Sequence, residues 1–300
     1  MKINCSKLIA LIGVILVLIM LGCSSQITTP STNTAPTIPL VTGKEITVFA
    51  GSSSKAALDA AGKAFETKTG IKVYSNYGGS GTMLSQLELS KAGDIFIAAS
   101  PVYTLKAAAK NIIYPDTEVK FYYLVPAILV QKDNPKNITS LADLAKPGLK
   151  IAIADPQTVP VGRYAYEILD SNKLLYDVGK NIIVYGESNE KISSYIILHS
   201  VDAAIAWDNI AVQQPDKLDV VYFQPNQVPR ISFGSGAIAT YTEDRDIAQK
   251  LLKYLTSTEG QLFFKRYGYY TTESEAKTFV SDAHVGGIYA LPSDYKSLVE

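Results

Sequence analysis

The chain has 300 residues, with 28 Lys and Arg against 28 Asp and Glu and a formal net charge of zero. Hydrophobic residues make up 47% and charged residues 19%, so a sizeable core can form and wholesale disorder is excluded. The balanced charge, with no basic block, argues against nucleic acid as the main partner, and two Cys with two His rule out a Cys/His zinc site and a disulfide framework.

At the start, residues 1–22 carry Lys2 and Lys7 and no acid, and every residue from 8 to 22 is apolar or Gly. A basic opening followed by an apolar run reads as a secretory signal. The run is short of the roughly 20 residues that a spanning helix needs. It ends in Met20-Leu21-Gly22-Cys23, which resembles a bacterial lipobox with Met where Leu is usual. The expectation is cleavage before Cys23, lipid attachment at its thiol, and an extracytoplasmic protein anchored to the cell membrane. The plainer alternative is an uncleaved signal anchor in which Cys23 is incidental. Residues 24–43 hold three Ser, six Thr, three Pro and no charge, so 23–43 reads as a lipidated Cys followed by a flexible tether. Its r.m.s. reach is about 25 Å.

From 44 onward strands and helices alternate. A strand is expected over 44–50, a helix over 54–69 with Ala57, Leu58, Ala61 and Phe65 on one face, and a strand over 71–74. A helix over 80–91 and a strand over 94–98 follow. Further strands fall at 150–154, 182–185 and 203–207, separated by helices at 161–169 and 190–199, and two more helices lie at 243–254 and 258–267. This alternation predicts an α/β protein with mostly parallel sheets covered by helices on both faces. Two apolar stretches, 121–130 and 231–240, break the rhythm and are expected to be crossings between two α/β lobes. The chain would then place 44–126 and 233–300 in lobe one and 127–232 in lobe two, with a single doubly wound sheet as the alternative. No internal repeat is evident.

Ligands of open α/β sheets bind beyond the carboxyl ends of the strands. The segments there are Gly51-Ser52-Ser53-Ser54, Tyr77-Gly78-Gly79-Ser80-Gly81-Thr82, the run 155–162, and Glu187-Ser188-Asn189. Each is rich in Gly, Ser or Asn and opens a helix. Such termini accept anions through free N–H groups and the helix dipole, but Ser and Asn are also ordinary helix caps. Spacing alone leaves capping and a shared anion pocket both open.

The stretches ITVFAGSSSKAALDAA (46–61), GSGTMLSQLELSKAGDIFIAAS (79–100), ADPQTVPVGRYAYEIL (154–169), DAAIAWDNIAV (202–212) and YLTSTEGQLFFKRYG (254–268) resemble the molybdate-binding proteins that feed ABC importers. That family has the type II periplasmic-binding-protein fold: two α/β lobes joined by two crossover segments, with a ligand cleft between them. The pattern from Asp155 to Ala165 is the most specific part of the likeness. The resemblance implies capture of molybdate or tungstate for an ABC permease and its ATPase, by a monomer without a cofactor, bare metal ion or nucleic-acid partner. It assigns Ser53 and Ser80 as lobe-one donors, Val161 and Asn189 as backbone donors at helix starts, and Trp207 to a position usually held by Tyr. Trp207 is a departure, because an indole N–H differs in direction and reach from a phenol; packing between the lobes is its alternative role.

Residue types support an oxyanion. Molybdate and tungstate are doubly deprotonated at neutral pH, so a wall of donors satisfies every oxygen. Phosphate keeps a proton that needs an acceptor, which a donor-only wall leaves unpaired at a cost of about 1–3 kcal/mol. Phosphate and sulfate remain the alternative oxyanions, and a non-transport surface or sensory binding module is the alternative of another class. Lys55 is expected to face solvent, Arg163 to pair with an acid, and Asp208 to cap a helix over 208–212 or, less favourably for molybdate, to face the pocket. Val159 stands where some tungstate-binding relatives place a metal-coordinating carboxylate. An enzyme is not expected: GGSGT at 78–82 is no nucleophile elbow, and no Walker A or dinucleotide fingerprint is present. Residues 269–300 match nothing in the family pattern, and are expected either to pack on lobe one or to stay loose.

Overall fold

The computed structural model describes residues 43–293 and Tyr295. The expected signal peptide 1–22, Cys23 and the tether as far as 42 lie outside the described residues.

In chain order the first elements are β1 (Glu45–Gly51), α1 (Lys55–Thr69), β2 (Lys72–Gly78), α2 (Ser80–Ser90), β3 (Ile95–Ala98) and α3 (Pro101–Ala109). The last of these has no counterpart in the expected elements, although Ser100 caps it from Val102 N at 3.4 Å and Pro101 opens it. Then β4 (Val119–Leu124) and β5 (Pro126–Gln131) are parted by Val125 alone. The next run is β6 (Ile151–Ala154), α4 (Pro160–Ser171), α5 (Leu175–Gly179), β7 (Ile182–Gly186), α6 (Asn189–Ile197), β8 (Ala203–Trp207), α7 (Asn209–Gln213) and β9 (Leu218–Val221). The chain returns through β10 (Arg230–Ile238), α8 (Arg245–Thr256), α9 (Thr258–Arg266), α10 (Glu273–Lys277) and β11 (His284–Val285).

These strands form two sheets, one ordered β11-β10-β3-β1-β2 with β4 also on β10, the other ordered β7-β6-β8-β5-β9. The strands of the βαβ units run parallel, β2-β1-β3 in one sheet and β7-β6-β8 in the other. The strands around the crossings run against them: β10 is antiparallel to β3 and β4, and β5 is antiparallel to β8 and β9. Each sheet is therefore mixed rather than mostly parallel. The first crossing lies at Val125, inside the expected 121–130. The stretch 231–240 is not itself a crossing; most of it is β10, and the chain changes sheets before it, over 222–229.

Side-chain alternation explains the layers. Along β1, Ile46, Val48 and Ala50 enter one apolar cluster with Leu58 and Phe65 of α1, while Phe49 enters another with Met83 and Leu87 of α2. Along β6, Ala152 and Ala154 join the first of these clusters, and Ile151 and Ile153 face a third. That first cluster runs from one sheet into the other. The C-terminal segment serves both lobes: its β11 pairs with β10 at the edge of the first sheet, while the side chains of Ala276, Val280, Ala283 and Tyr295 join the core on the far face of the second sheet. Tyr289 extends this strap by donating its hydroxyl to Asp170 at 2.7 Å.

Candidate functional site

The carboxyl ends of β1, β2, β6, β7 and β8 converge on a small gap between the two sheets. Its wall is Gly51, Ser52, Ser53, Gly78, Gly79, Ser80, Val159, Pro160, Asn189 and Trp207. No charged side chain is among them. Three helices begin there, α2, α4 and α6, and their first residues Ser80, Pro160 and Asn189 stand in the wall. Each brings the positive end of its dipole and the amides of its first turn, of which those of Gly81 and Asn189 bond Thr158 O and Ser52 Oγ.

The serines have distinct roles. The Ser54 hydroxyl donates to Gly51 O at 2.8 Å and closes the short turn after β1. The Ser52 oxygen accepts the Asn189 amide at 3.2 Å, a bond that reaches across the gap. Ser80 accepts the Ala99 amide at 3.2 Å, which leaves its own proton free to donate. The Ser53 oxygen is buried and makes no hydrogen bond of good geometry, as does Asn189 Oδ1. Beneath Ser53, the Tyr269 hydroxyl donates to its carbonyl and anchors the loop.

The two halves touch around the gap. Gly81 N donates to Thr158 O at 2.9 Å, and the Tyr103 hydroxyl of α3 donates to Gln157 O at 2.8 Å. The approach is so close that a Cβ on Gly79 would stand 2.8 Å from Thr158 O, and one on Gly81 would stand 2.9 Å from the Tyr103 ring. This is a closed arrangement of the lobes, and glycine is what permits it.

Of the expected site residues, Ser53, Ser80, Asn189 and Trp207 come together in the wall. Val161 does not: its side chain is fully buried in the apolar cluster, and Val159 and Pro160 form the wall at that helix. Its amide belongs to the first turn of α4, one residue after Pro160. Trp207 lines the gap and packs edge-on against Tyr164 of its own lobe at 5.2 Å. Ser52 and the Tyr103–Gln157 contact are additions. Ser52 was visible as one of three consecutive serines, but only the phase of the turn says which of them faces inward.

Charged neighbours stand back from the wall. A wider, open cleft of about 210 Å³ adjoins it, sharing Ser52, Ser53 and Asn189 and adding Lys55, Asp59 and Glu190. There Lys55 pairs with Asp59 at 2.8 Å and lies over the Tyr77 ring. Among the described residues Arg163 pairs with no acid; it donates to the carbonyl of Tyr289 at 2.9 Å in the C-terminal strap. Asp208 neither caps α7 through its side chain nor lines the gap. Its carboxylate accepts from Tyr270 at 2.6 Å and Tyr222 at 3.3 Å. Burial pushes its pKa up to about 6, against the pull of those two hydroxyls. Among the described residues no three His, Cys, Asp or Glu side chains come together to hold a metal ion.

The family model for bacterial extracellular solute-binding proteins matches residues 46–270. The molybdate-binding protein ModA of Mycobacterium tuberculosis is 24% identical over 261 residues, covering 86% of this chain and 95% of that protein. The periplasmic molybdate-binding protein of Azotobacter vinelandii superimposes with a TM-score of 0.67 at 18% identity, over 76% of this chain and all of its own. The sulfate-binding protein SubI of Mycobacterium tuberculosis superimposes with a TM-score of 0.68 at 16% identity, over 81% of this chain and 94% of its own. The two structural matches share the periplasmic-binding-protein fold of two α/β lobes.

Proposed function

The chain belongs to the bacterial extracellular solute-binding proteins, and from that premise we propose that it captures molybdate or tungstate between its lobes and hands the ion to the permease and ATPase of an ABC importer. It acts outside the cytoplasm as a monomer held to the membrane through a lipid on Cys23. In this reading Ser53 and Ser80 donate hydroxyls from lobe one, the first-turn amide at Val161 donates from lobe two together with that of Asn189, which exchanges its bond to Ser52 for the ion, and Trp207 closes the wall.

The observation that carries the reading is a gap walled by hydroxyls, helix starts and glycines, without one charged side chain. Neutral donors satisfy a fully deprotonated dianion and release it more readily than a fixed cation would. A monoprotonated phosphate needs an acceptor. Two acids follow wall residues in sequence, Asp208, engaged by two tyrosine hydroxyls, and Glu190, which stands in the adjoining cleft; neither lines the gap. Sulfate matches the ion in charge and lack of a proton, so cavity size alone separates the two. The ModA likeness supports the larger ion.

The test is a melting series of the purified protein with molybdate, tungstate, sulfate and phosphate. An ion present at 100 times its Kd adds about 2.7 kcal/mol, a rise of roughly 5–10 °C. Molybdate and tungstate are expected to produce it. A rise with phosphate alone, or with no ion, overturns the reading.

A further inference from the structure

Tyr103 is the third residue of α3, a helix whose start is fixed by the Ser100 cap and Pro101. Its ring is buried and joins the lobe-one cluster with Met83, Leu84 and Leu87 of α2. A phenyl ring would fill that place equally well, but this one ends in a hydroxyl that leaves its own lobe. The hydroxyl donates to Gln157 O of lobe two at 2.8 Å. Gly81 N donates to the next carbonyl, Thr158 O, at 2.9 Å. Two successive carbonyls of one turn are thus held by two helices of the opposite lobe. Burial pushes the Tyr103 pKa above its usual value, so the group stays a donor at any working pH.

The receiving turn keeps its shape without help from lobe one. Asp155 Oδ1 accepts the Gln157 amide at 2.8 Å, Asp155 O accepts the Val159 amide at 2.8 Å, and Asp155 N donates to Gly186 O at 2.8 Å. All three bonds lie within lobe two. The turn runs directly into α4, where Val159 and Pro160 stand in the gap wall. Fixing Gln157 O against lobe one therefore fixes the wall two and three residues further on. Tyr103 itself is not among the wall residues.

We propose that Tyr103 is a latch, a positioning residue whose hydroxyl bonds lobe two only when the cleft is shut and so sets how long the ion stays, without touching it. With the lobes apart the hydroxyl bonds water instead, so the net gain on closure is that of one neutral hydrogen bond. The ion enters the open cleft before the latch forms, and leaves only after it breaks. Loss of the hydroxyl therefore acts on release, and lowers affinity by the same factor as the closed fraction of the complex falls. This role rests on the oxyanion reading above.

Rapid-mixing kinetics with tungstate test it on the wild type, Tyr103→Phe, Ser53→Ala and the double variant. Trp207, the single tryptophan of the chain, lines the gap and supplies the fluorescence signal. Tyr103→Phe is expected to release the ion about fivefold faster. Its association rate should stay within about twofold of the wild type. The melting temperature of the ion-free protein should not move. The same acceleration is expected in the Ser53→Ala background, since the latch does not work through that serine. Unchanged release from Tyr103→Phe, a slower association in its place, a lowered ion-free melting temperature, or loss of the effect in the Ser53→Ala background each overturns the latch. A wild type that binds neither tungstate, molybdate nor sulfate overturns the oxyanion reading itself, and the latch with it.

Discussion

The first sheet runs β2-β1-β3 and then an antiparallel β10; the second runs β7-β6-β8 and then an antiparallel β5. The two lobes thus repeat one strand plan, although no repeat shows in their sequences, and they equip the gap differently. Lobe one offers removable side-chain groups, Ser52, Ser53 and Ser80. Lobe two offers the starts of α4 and α6, whose amides survive any substitution short of proline, and a packed Trp207. The difference teaches where mutations bite: equal donors need not be equally vulnerable, because a hydroxyl belongs to its residue and an amide to its helix.

The sharpest way to break that contrast is to remove both hydroxyls at once. Hydrogen bonds to an ion are worth about 1.5–3 kcal/mol each. Ser53→Ala with Ser80→Ala is therefore expected to weaken tungstate binding by about a thousandfold, close to 4 kcal/mol. Val161→Ala is the control from the other lobe. It trims the core but keeps the amide, and its affinity is expected to stay within about twofold. Calorimetry reads both, and a loss under tenfold for the serine pair, or a comparable loss for Val161→Ala, ends the asymmetry.

The second test concerns the buried acid at the edge of lobe two. In the folded protein the pKa of Asp208 is raised from 3.8 to about 6. The folded state therefore binds the proton more tightly than the unfolded state. The associated stability is present below pH 3.8 and lost as pH rises through 6. Asp208→Asn removes the charge, so at pH 7.5 it is expected to exceed the wild type by at most on the order of 3 kcal/mol, with the gap closing toward pH 4. Denaturant melts of both proteins at pH 7.5 and 4.5 check this; equal stabilities at pH 7.5 show that the two tyrosines fully compensate the charge.

The smallest effect is expected where the lobes meet. Gly81→Ala puts a Cβ 2.9 Å from the Tyr103 ring and 3.1 Å from Thr158 Cα, which holds the halves slightly apart. Affinity for tungstate should drop about tenfold, or 1.4 kcal/mol, while the unliganded melting temperature barely moves. If affinity is unchanged, the closed contact is not part of the bound state.

Much of this was legible in the chain. The helix at Lys55–Thr69 announces itself through Ala57, Leu58, Ala61 and Phe65, and the strand at Ile95–Ala98 through its apolar run. The loops after β1 and β2 carry the Gly and Ser that form the wall. Other features stayed hidden because they join distant residues. Asp208 meets partners 14 and 62 positions away. Arg163 meets a carbonyl 126 positions away. The strap beyond Tyr269 packs on the second lobe's core as well as pairing with the first sheet through β11, where the order of the chain had suggested the first lobe alone.

Periodicity, capping chemistry and turn composition act over a few residues, so the amino-acid order alone determined the alternating elements, the candidate donors and the family pattern around Asp155–Ala165. Tertiary contact decided the rest: that Ser52 and not Ser54 faces Asn189, that Val159 and Pro160 line the wall at the start of α4, and that Tyr103 reaches Gln157 from the other lobe. Each depends on the phase of a turn or on two lobes meeting across the gap. Those are set by packing between segments that the chain brings together only once it has folded.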